Sequence, residues 1–235
     1  MTALHVNDLH VRINQAHILQ GVSFTVPKHK VTALMGRNGV GKSTTLKAIM
    51  GLYKGTGSIT FNGVELIGKE TFEIASSGIA YIPEDREIFS TLTVKENLEL
   101  AARKSTQQSA YEQIYSLFPE LQSRSAQRAG SLSGGQQQMV SIARVLLNEN
   151  EIILVDEPTK GLAPKLVTEV ADALAKVAKN ETMIIVEQNL GLVKRVAEHL
   201  LVMDQGRIIY EGSPEKLSDP EWVHAMLGVS GGGAH

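Results

Sequence analysis

Residues 36 to 43 read Gly36-Arg37-Asn38-Gly39-Val40-Gly41-Lys42-Ser43, with Thr44 next. The spacing is G-x-x-x-x-G-K-[ST], and the chemistry open to such a run is the cradling of phosphate. Glycines let successive backbone N–H groups turn inward on phosphate oxygens, and a helix starting at this point adds its partial positive charge. Lys42 can reach the outer phosphates, and Ser43 can ligate Mg²⁺. A glycine-rich turn without a ligand would not need both Lys and Ser in register. The ligand read from residues 36–44 is a nucleoside triphosphate with its cation.

Two further groups extend that chemistry. Ile152-Ile153-Leu154-Val155-Asp156-Glu157 is an apolar run ending in two carboxylates. As a strand it presents both acids at its carboxyl edge, where ligands sit in open α/β sheets. Asp156 suits the metal sphere, and Glu157 can orient or deprotonate an attacking water. The second group is Leu132-Ser133-Gly134-Gly135-Gln136, followed by Met139, Ile142, Ala143, Leu146 and Leu147 at helical spacing. Ser133 reads as a helix N-cap, and Gly134 and Gly135 allow a phosphate to approach the backbone closely.

Elements must hold these groups in place. Val31 to Met35 before the phosphate loop reads as a buried strand, and Ser43 to Ile49 after it as a helix. Residues 4–13, 22–27 and 57–63 alternate as β-strands do, which predicts an antiparallel layer beside the loop. Character changes at 93. Thr93 with Glu96 forms a capping signature, and Ser109 to Phe118 has helical spacing that Pro119 ends. We expect a helical subdomain over about 88–145, inserted into a core of about 1–87 and 146–229. The strand 152–155, helix 167–178, strand 183–186, helix 190–197 and strand 199–203 alternate as parallel α/β units. Trp222, Val223, Met226 and Leu227 after Pro220 make a short amphipathic helix for core packing. Residues 230–235 are expected to be a disordered tail.

Composition excludes other classes. The chain has 235 residues, a net charge of −2 and no cysteine, so it offers no disulfide, thiol nucleophile or cysteine-held zinc. No basic stripe points to nucleic acid. Apolar runs are far shorter than the ~20 residues that span a bilayer. The N-terminus shows no signal peptide, so a cytosolic protein is expected, reaching a membrane only through a partner.

The order of these motifs, Gly36 to Ser43, then Leu132 to Gln136, then Asp156-Glu157, resembles the ATP-binding cassette (ABC) ATPases over residues 3 to 217. The resemblance implies an α/β P-loop NTPase core with an antiparallel β layer and an inserted helical subdomain. It implies ATP and Mg²⁺ as ligands and a head-to-tail dimer, in which Ser133 and Gly135 touch the γ-phosphate held by a second cassette. It also implies departures. Glu84, in Ile82-Pro83-Glu84-Asp85-Arg86, stands where the family usually has a metal-sensing glutamine, and its oxygen still suits metal or water. Gln188, in Ile185-Val186-Glu187-Gln188-Asn189, replaces the switch histidine and can hydrogen-bond a γ-phosphate without carrying charge. Ala163 replaces a frequent aspartate. Ile13 aligns with the adenine-stacking aromatic, which weakens base stacking.

Those departures, with Phe89, Leu92-Thr93-Val94, Glu96-Asn97-Leu98 and Gly161-Leu162-Ala163-Pro164, resemble one branch: the ATPase subunits of branched-chain (hydrophobic) amino acid and amide importers. The branch implies two membrane permeases, two ATPases that are the same or different, and an external solute-binding protein. The chain would then lie on the inner face of the cell membrane. Urea or amide import, lipid export and a soluble non-transport ATPase are the alternatives. A single P-loop without long heptads disfavours the last.

Overall fold

The computed structural model describes residues 2–179 and 181–228. The tail expected at 230–235, and residue 229 of the expected domain, lie outside the described residues. Two sheets organise the chain. Four antiparallel strands run in the order β2-β1-β4-β5, formed by β1 (Thr2–Ile13), β2 (Ala16–Pro27), β4 (Gly55–Phe61) and β5 (Val64–Glu65). Six strands run in the order β10-β9-β3-β8-β7-β6, formed by β3 (Val31–Met35), β6 (Ile79–Ile82), β7 (Ile152–Asp156), β8 (Met183–Val186), β9 (His199–Asp204) and β10 (Arg207–Gly212). All pairings of the second sheet are parallel except that of the edge hairpin β9–β10.

Strand periodicity explains how this sheet serves two cores at once. Successive side chains point to opposite faces, and the central strands β3, β7 and β8 are buried along their whole length. Val31, Ala33, Ile153, Val155, Met183, Ile185, Leu200 and Val202 face one apolar cluster, shared with the helices. Leu34, Ile152, Leu154, Ile184, Val186, Leu201 and Met203 face the other, shared with the antiparallel sheet and helix α1 (Lys42–Ile49). A parallel sheet covered on both faces reads as continuous apolar runs for this reason.

Between β6 and β7 the chain is helical. It forms α3 (Val94–Ala101), α4 (Gln108–Leu117), α5 (Pro119–Ser123), a 3₁₀ turn (Ala129–Ser131) and α6 (Gly134–Leu146). Two reciprocal capping boxes start the important helices. Thr93 N donates to Glu96 Oε2 at 2.7 Å while Glu96 N donates to Thr93 Oγ1 at 3.2 Å, and Ser133 and Gln136 exchange the equivalent bonds at α6. Pro119 both ends α4 and opens α5, because a missing N–H costs nothing at a first helical position. The same rule moves the start of α7 from the expected 167 to Pro164, giving Pro164–Val177. Helices α2 (Thr71–Ser76), α8 (Leu190–Val196) and α9 (Pro220–Leu227) complete the set. Trp222 of α9 packs edge-on against Tyr210 at 4.9 Å between ring centroids. None of the described helices is long and apolar enough to cross a membrane.

Strand β2 starts at Ala16 rather than at the expected Val22. It folds back on β1 through Asn14-Gln15, with Asn14 in the left-handed region at φ 54° and Ile13 paired with Ala16. Asparagine tolerates that conformation, so pairing extends through a stretch whose side chains do not alternate.

Candidate nucleotide site

The phosphate loop joins β3 to α1, with Gly41 at the helix N-cap. Arg37, Asn38 and Gly39 are exposed, Val40, Ser43 and Thr44 are half-buried, and Gly36, Gly41 and Lys42 are buried. Gly36 has φ 147°, and a Cβ there would stand 2.3 Å from the Met203 carbonyl oxygen of β9. That neighbour is backbone and cannot swing aside. Gly36→Ala is therefore expected to destabilise the fold by about 2–4 kcal/mol. A urea titration checks this; an unchanged midpoint would show that the loop shifts freely.

Lys42 is held inside the loop. Its Nζ donates to Gly36 O at 3.0 Å and Arg37 O at 2.9 Å, and lies 3.8 Å from Glu157 Oε1. Burial lowers its pKa, and the Glu157 and Asp156 carboxylates act against that. Ser43 Oγ donates to Asp156 Oδ1 at 2.8 Å, so the two oxygens expected from the sequence to hold a cation lie side by side. Tyr81 of β6 donates to the other oxygen of Asp156 at 3.0 Å. Burial raises the Asp156 pKa despite these two bonds, and a bound cation would favour its ionised form. The donors are hard oxygens arranged beside a phosphate loop, which suits Mg²⁺ shared with phosphates rather than an all-protein cage.

Glu157 leaves β7 with φ 44°, a costly conformation for a side-chain-bearing residue. Its N–H donates to Val186 O of β8 at 2.9 Å, so the neighbouring strand pins the turn. The carboxylate is 7% exposed and fully engaged. Gln188 Nε2 donates to its Oε1 at 2.8 Å and also to Asn38 Oδ1 at 2.7 Å, joining the loop after β8 to the phosphate loop. Lys160 Nζ lies 3.2 Å from its Oε2 and 2.5 Å from Glu84 Oε1. The structure thus brings Asn38, Lys42, Ser43, Glu84, Asp156, Glu157 and Gln188 to one edge of the sheet.

Other expected residues lie elsewhere. Ile13 is half-buried against the cluster under the antiparallel sheet. Ser133, Gly134 and Gly135 share no hydrogen bond with the phosphate loop among the described residues. Ser133 is exposed at the N-terminus of α6, and Gly135 is overlain by Leu166, whose Cδ1 would be 2.2 Å from an added Cβ. The Arg86 guanidinium lies over Gly134, 2.9 Å from where a Cβ would be.

Three supporting residues were missed in the sequence. Tyr81 precedes Ile82-Pro83-Glu84 in a strand not singled out there. Lys160 follows Glu157 by three residues in the turn before α7. Glu187 is 3% exposed and accepts from the Gln188 N–H at 2.7 Å, the Asn189 N–H at 2.8 Å and the Thr159 hydroxyl, tying the turns after β7 and β8 together. An acid next to Gln188 at a strand end was the available signal. Its role was not legible, because Thr159, the partner that links it to the other turn, lies 28 residues away and is brought in only by the fold.

Comparison with known proteins agrees with this geometry. Residues 19–160 match the ABC transporter family. The chain is 37% identical over 216 residues to the "High-affinity branched-chain amino acid transport ATP-binding protein BraG" of Pseudomonas aeruginosa, covering 89% of this chain and 93% of that protein. It is 33% identical over 219 residues to the "Probable branched-chain amino acid transport ATP-binding protein LivF" of Archaeoglobus fulgidus, covering 91% and 93%. Among solved structures, a nucleotide-free ATP-binding cassette from an ABC transporter superposes with a TM-score of 0.81 at 29% identity, covering 97% of this chain and 100% of that one. With the phosphate loop, the two strand-end acids and the capped glycine helix all in their places, the chain belongs to the ABC transporter family and is one of its ATPases.

Proposed function

We propose that this chain is the ATP-hydrolysing subunit of an importer for branched-chain (hydrophobic) amino acids. The observation that carries the chemistry is the convergence of Lys42, Ser43, Asp156, Glu157 and Gln188 at one sheet edge. What favours the substrate is that BraG and LivF are both named for branched-chain amino acid transport. Residues 36–44 hold the triphosphate, with Lys42 leaving its loop carbonyls for phosphate oxygens. Ser43 and Asp156 hold Mg²⁺, with Glu84 beside them. The cation would neutralise phosphate charge when bound.

Glu157 orients and accepts a proton from the attacking water, and Gln188 fixes Glu157 against the phosphate loop. Catalysis of phosphoryl transfer rests mostly on such positioning and charge stabilisation. Ser133, Gly134 and Gly135, which share no hydrogen bond with the chain's own phosphate loop among the described residues, serve the nucleotide of a second cassette. Ile13 flanks the base without stacking. On this reading residues 1–229 work as one cassette, with 88–145 as its helical subdomain. Its partners are two permeases, a second ATPase of the same or different sequence and, indirectly, a solute-binding protein, at the inner face of the membrane.

The test is purification of the tagged Glu157→Gln chain from its native membranes in mild detergent with ATP and Mg²⁺. Two polytopic permeases are expected to copurify, and their binding protein then identifies the substrate. Recovery only from the soluble fraction, alone or with ribosomes or DNA, would overturn the importer reading while leaving the ATPase intact.

A further inference from the structure

Lys160 has no part in the roles above, yet it makes the closest ionic contact of the site. Its Nζ bridges Glu84 Oε1 at 2.5 Å and Glu157 Oε2 at 3.2 Å. These carboxylates arrive from different elements, the loop after β6 and the turn after β7. Three acids, Glu84, Asp156 and Glu157, therefore gather beside a loop that must receive a polyanion. Among the described residues Lys42 and Lys160 are the ammonium groups set among them; Lys42 bonds the loop carbonyls Gly36 O and Arg37 O and lies 3.8 Å from Glu157 Oε1, so only Lys160 pairs with Glu84. Without Lys160 the outer phosphate would approach a Glu84 carboxylate that has lost its ion pair.

We propose that Lys160 is the counter-charge of Glu84, shared with Glu157, standing in the cation's position toward Glu84 until nucleotide arrives with its divalent ion. Glu84 can accept one cation firmly. When an ion approaches from the phosphate side, the Lys160 ammonium is displaced, and Glu157 Oε2 loses the same partner and becomes free to hold water. The pair couples arrival of the cation to release of the hydrolytic carboxylate. Both hydrogen bonds and both charges raise the Lys160 pKa. The side chains are 53% and 35% exposed, which keeps the exchange fast and the effect salt-sensitive.

This inference rests on the nucleotide site proposed above, and the experiment separates the two. Binding of a fluorescent ATP analogue is measured in EDTA, at low salt, for the wild type, Lys160→Ala, Glu84→Gln and the double variant. Lys160→Ala is expected to weaken metal-free binding about fivefold. The double variant should return to within about twofold of Glu84→Gln alone, and the Lys160→Ala deficit should shrink in high salt. Half-saturating Mg²⁺ for nucleotide binding should fall in Lys160→Ala, because Glu84 is then uncontested. Equal losses with and without Glu84, or no loss at all, would overturn the pairing while leaving the nucleotide site standing. A wild type that binds no analogue would overturn both. Lys160 is half-exposed, and matched melting curves keep folding out of the comparison.

Discussion

Glu157→Gln is expected to bind ATP within about threefold of the wild type and to hydrolyse it about 100- to 1,000-fold more slowly, the usual worth of a positioned general base. The substitution is nearly isosteric, and its amide oxygen can still accept from Gln188 Nε2, which now bonds Oε1 at 2.8 Å. It loses the ability to accept a proton, and the ionic contacts to Lys42 and Lys160. Removing a negative charge beside the phosphates does not oppose anion binding. Nucleotide should therefore stay, and closed dimers should accumulate with ATP and elute early in gel filtration. Single-turnover hydrolysis separates this from slow product release. Turnover at the wild-type rate would remove Glu157 from its role.

Lys42→Ala should instead abolish productive binding, with a 10- to 100-fold loss of ATP affinity, the range for one or two charge-assisted hydrogen bonds. Lys42 is 4% exposed and bonds two loop carbonyls, so the loss has two parts. One is the missing contact to phosphate. The other is a loop that no longer keeps Gly36 and Arg37 folded around a cation. Lys42→Met separates them, since it retains the stem that packs in the interior while deleting the charge. Titration with a fluorescent ATP analogue should find both variants weak, and thermal melting should find the Met variant closer to the wild type. Normal affinity in either variant would count against residues 36–44 as the phosphate site.

How much of this was legible depended on the range of the interaction. The phosphate loop, the Thr93 and Ser133 caps and the Asp156-Glu157 strand end are local patterns, fixed by a few adjacent residues and by backbone propensities. Their elements could be placed to within a few residues, and the parallel core followed from apolar runs alternating with helical spacing. Short or edge elements escaped. Strands β5, β6 and β10 and helix α2 carry little periodicity in their sequences, and β10 alternates exposed and half-buried residues with none fully buried. Pairing with a neighbour defines them more than their own sequence does.

The sequence by itself determined that a triphosphate loop, two strand-end acids and a capped glycine helix occur in one chain, in the order of the ABC ATPases. Only the tertiary structure decided how their charges are partnered. Lys160 sits between Glu84 and Glu157, Gln188 bonds both Glu157 and Asn38, the latter 150 residues away from it, and Tyr81 holds Asp156 from the neighbouring strand. The physical reason is that a side chain's partner is set by strand order. Parallel strands β6, β7, β8 and β3 lie side by side, so their carboxyl ends bring together residues far apart in the chain, and no local spacing records which neighbour each will meet.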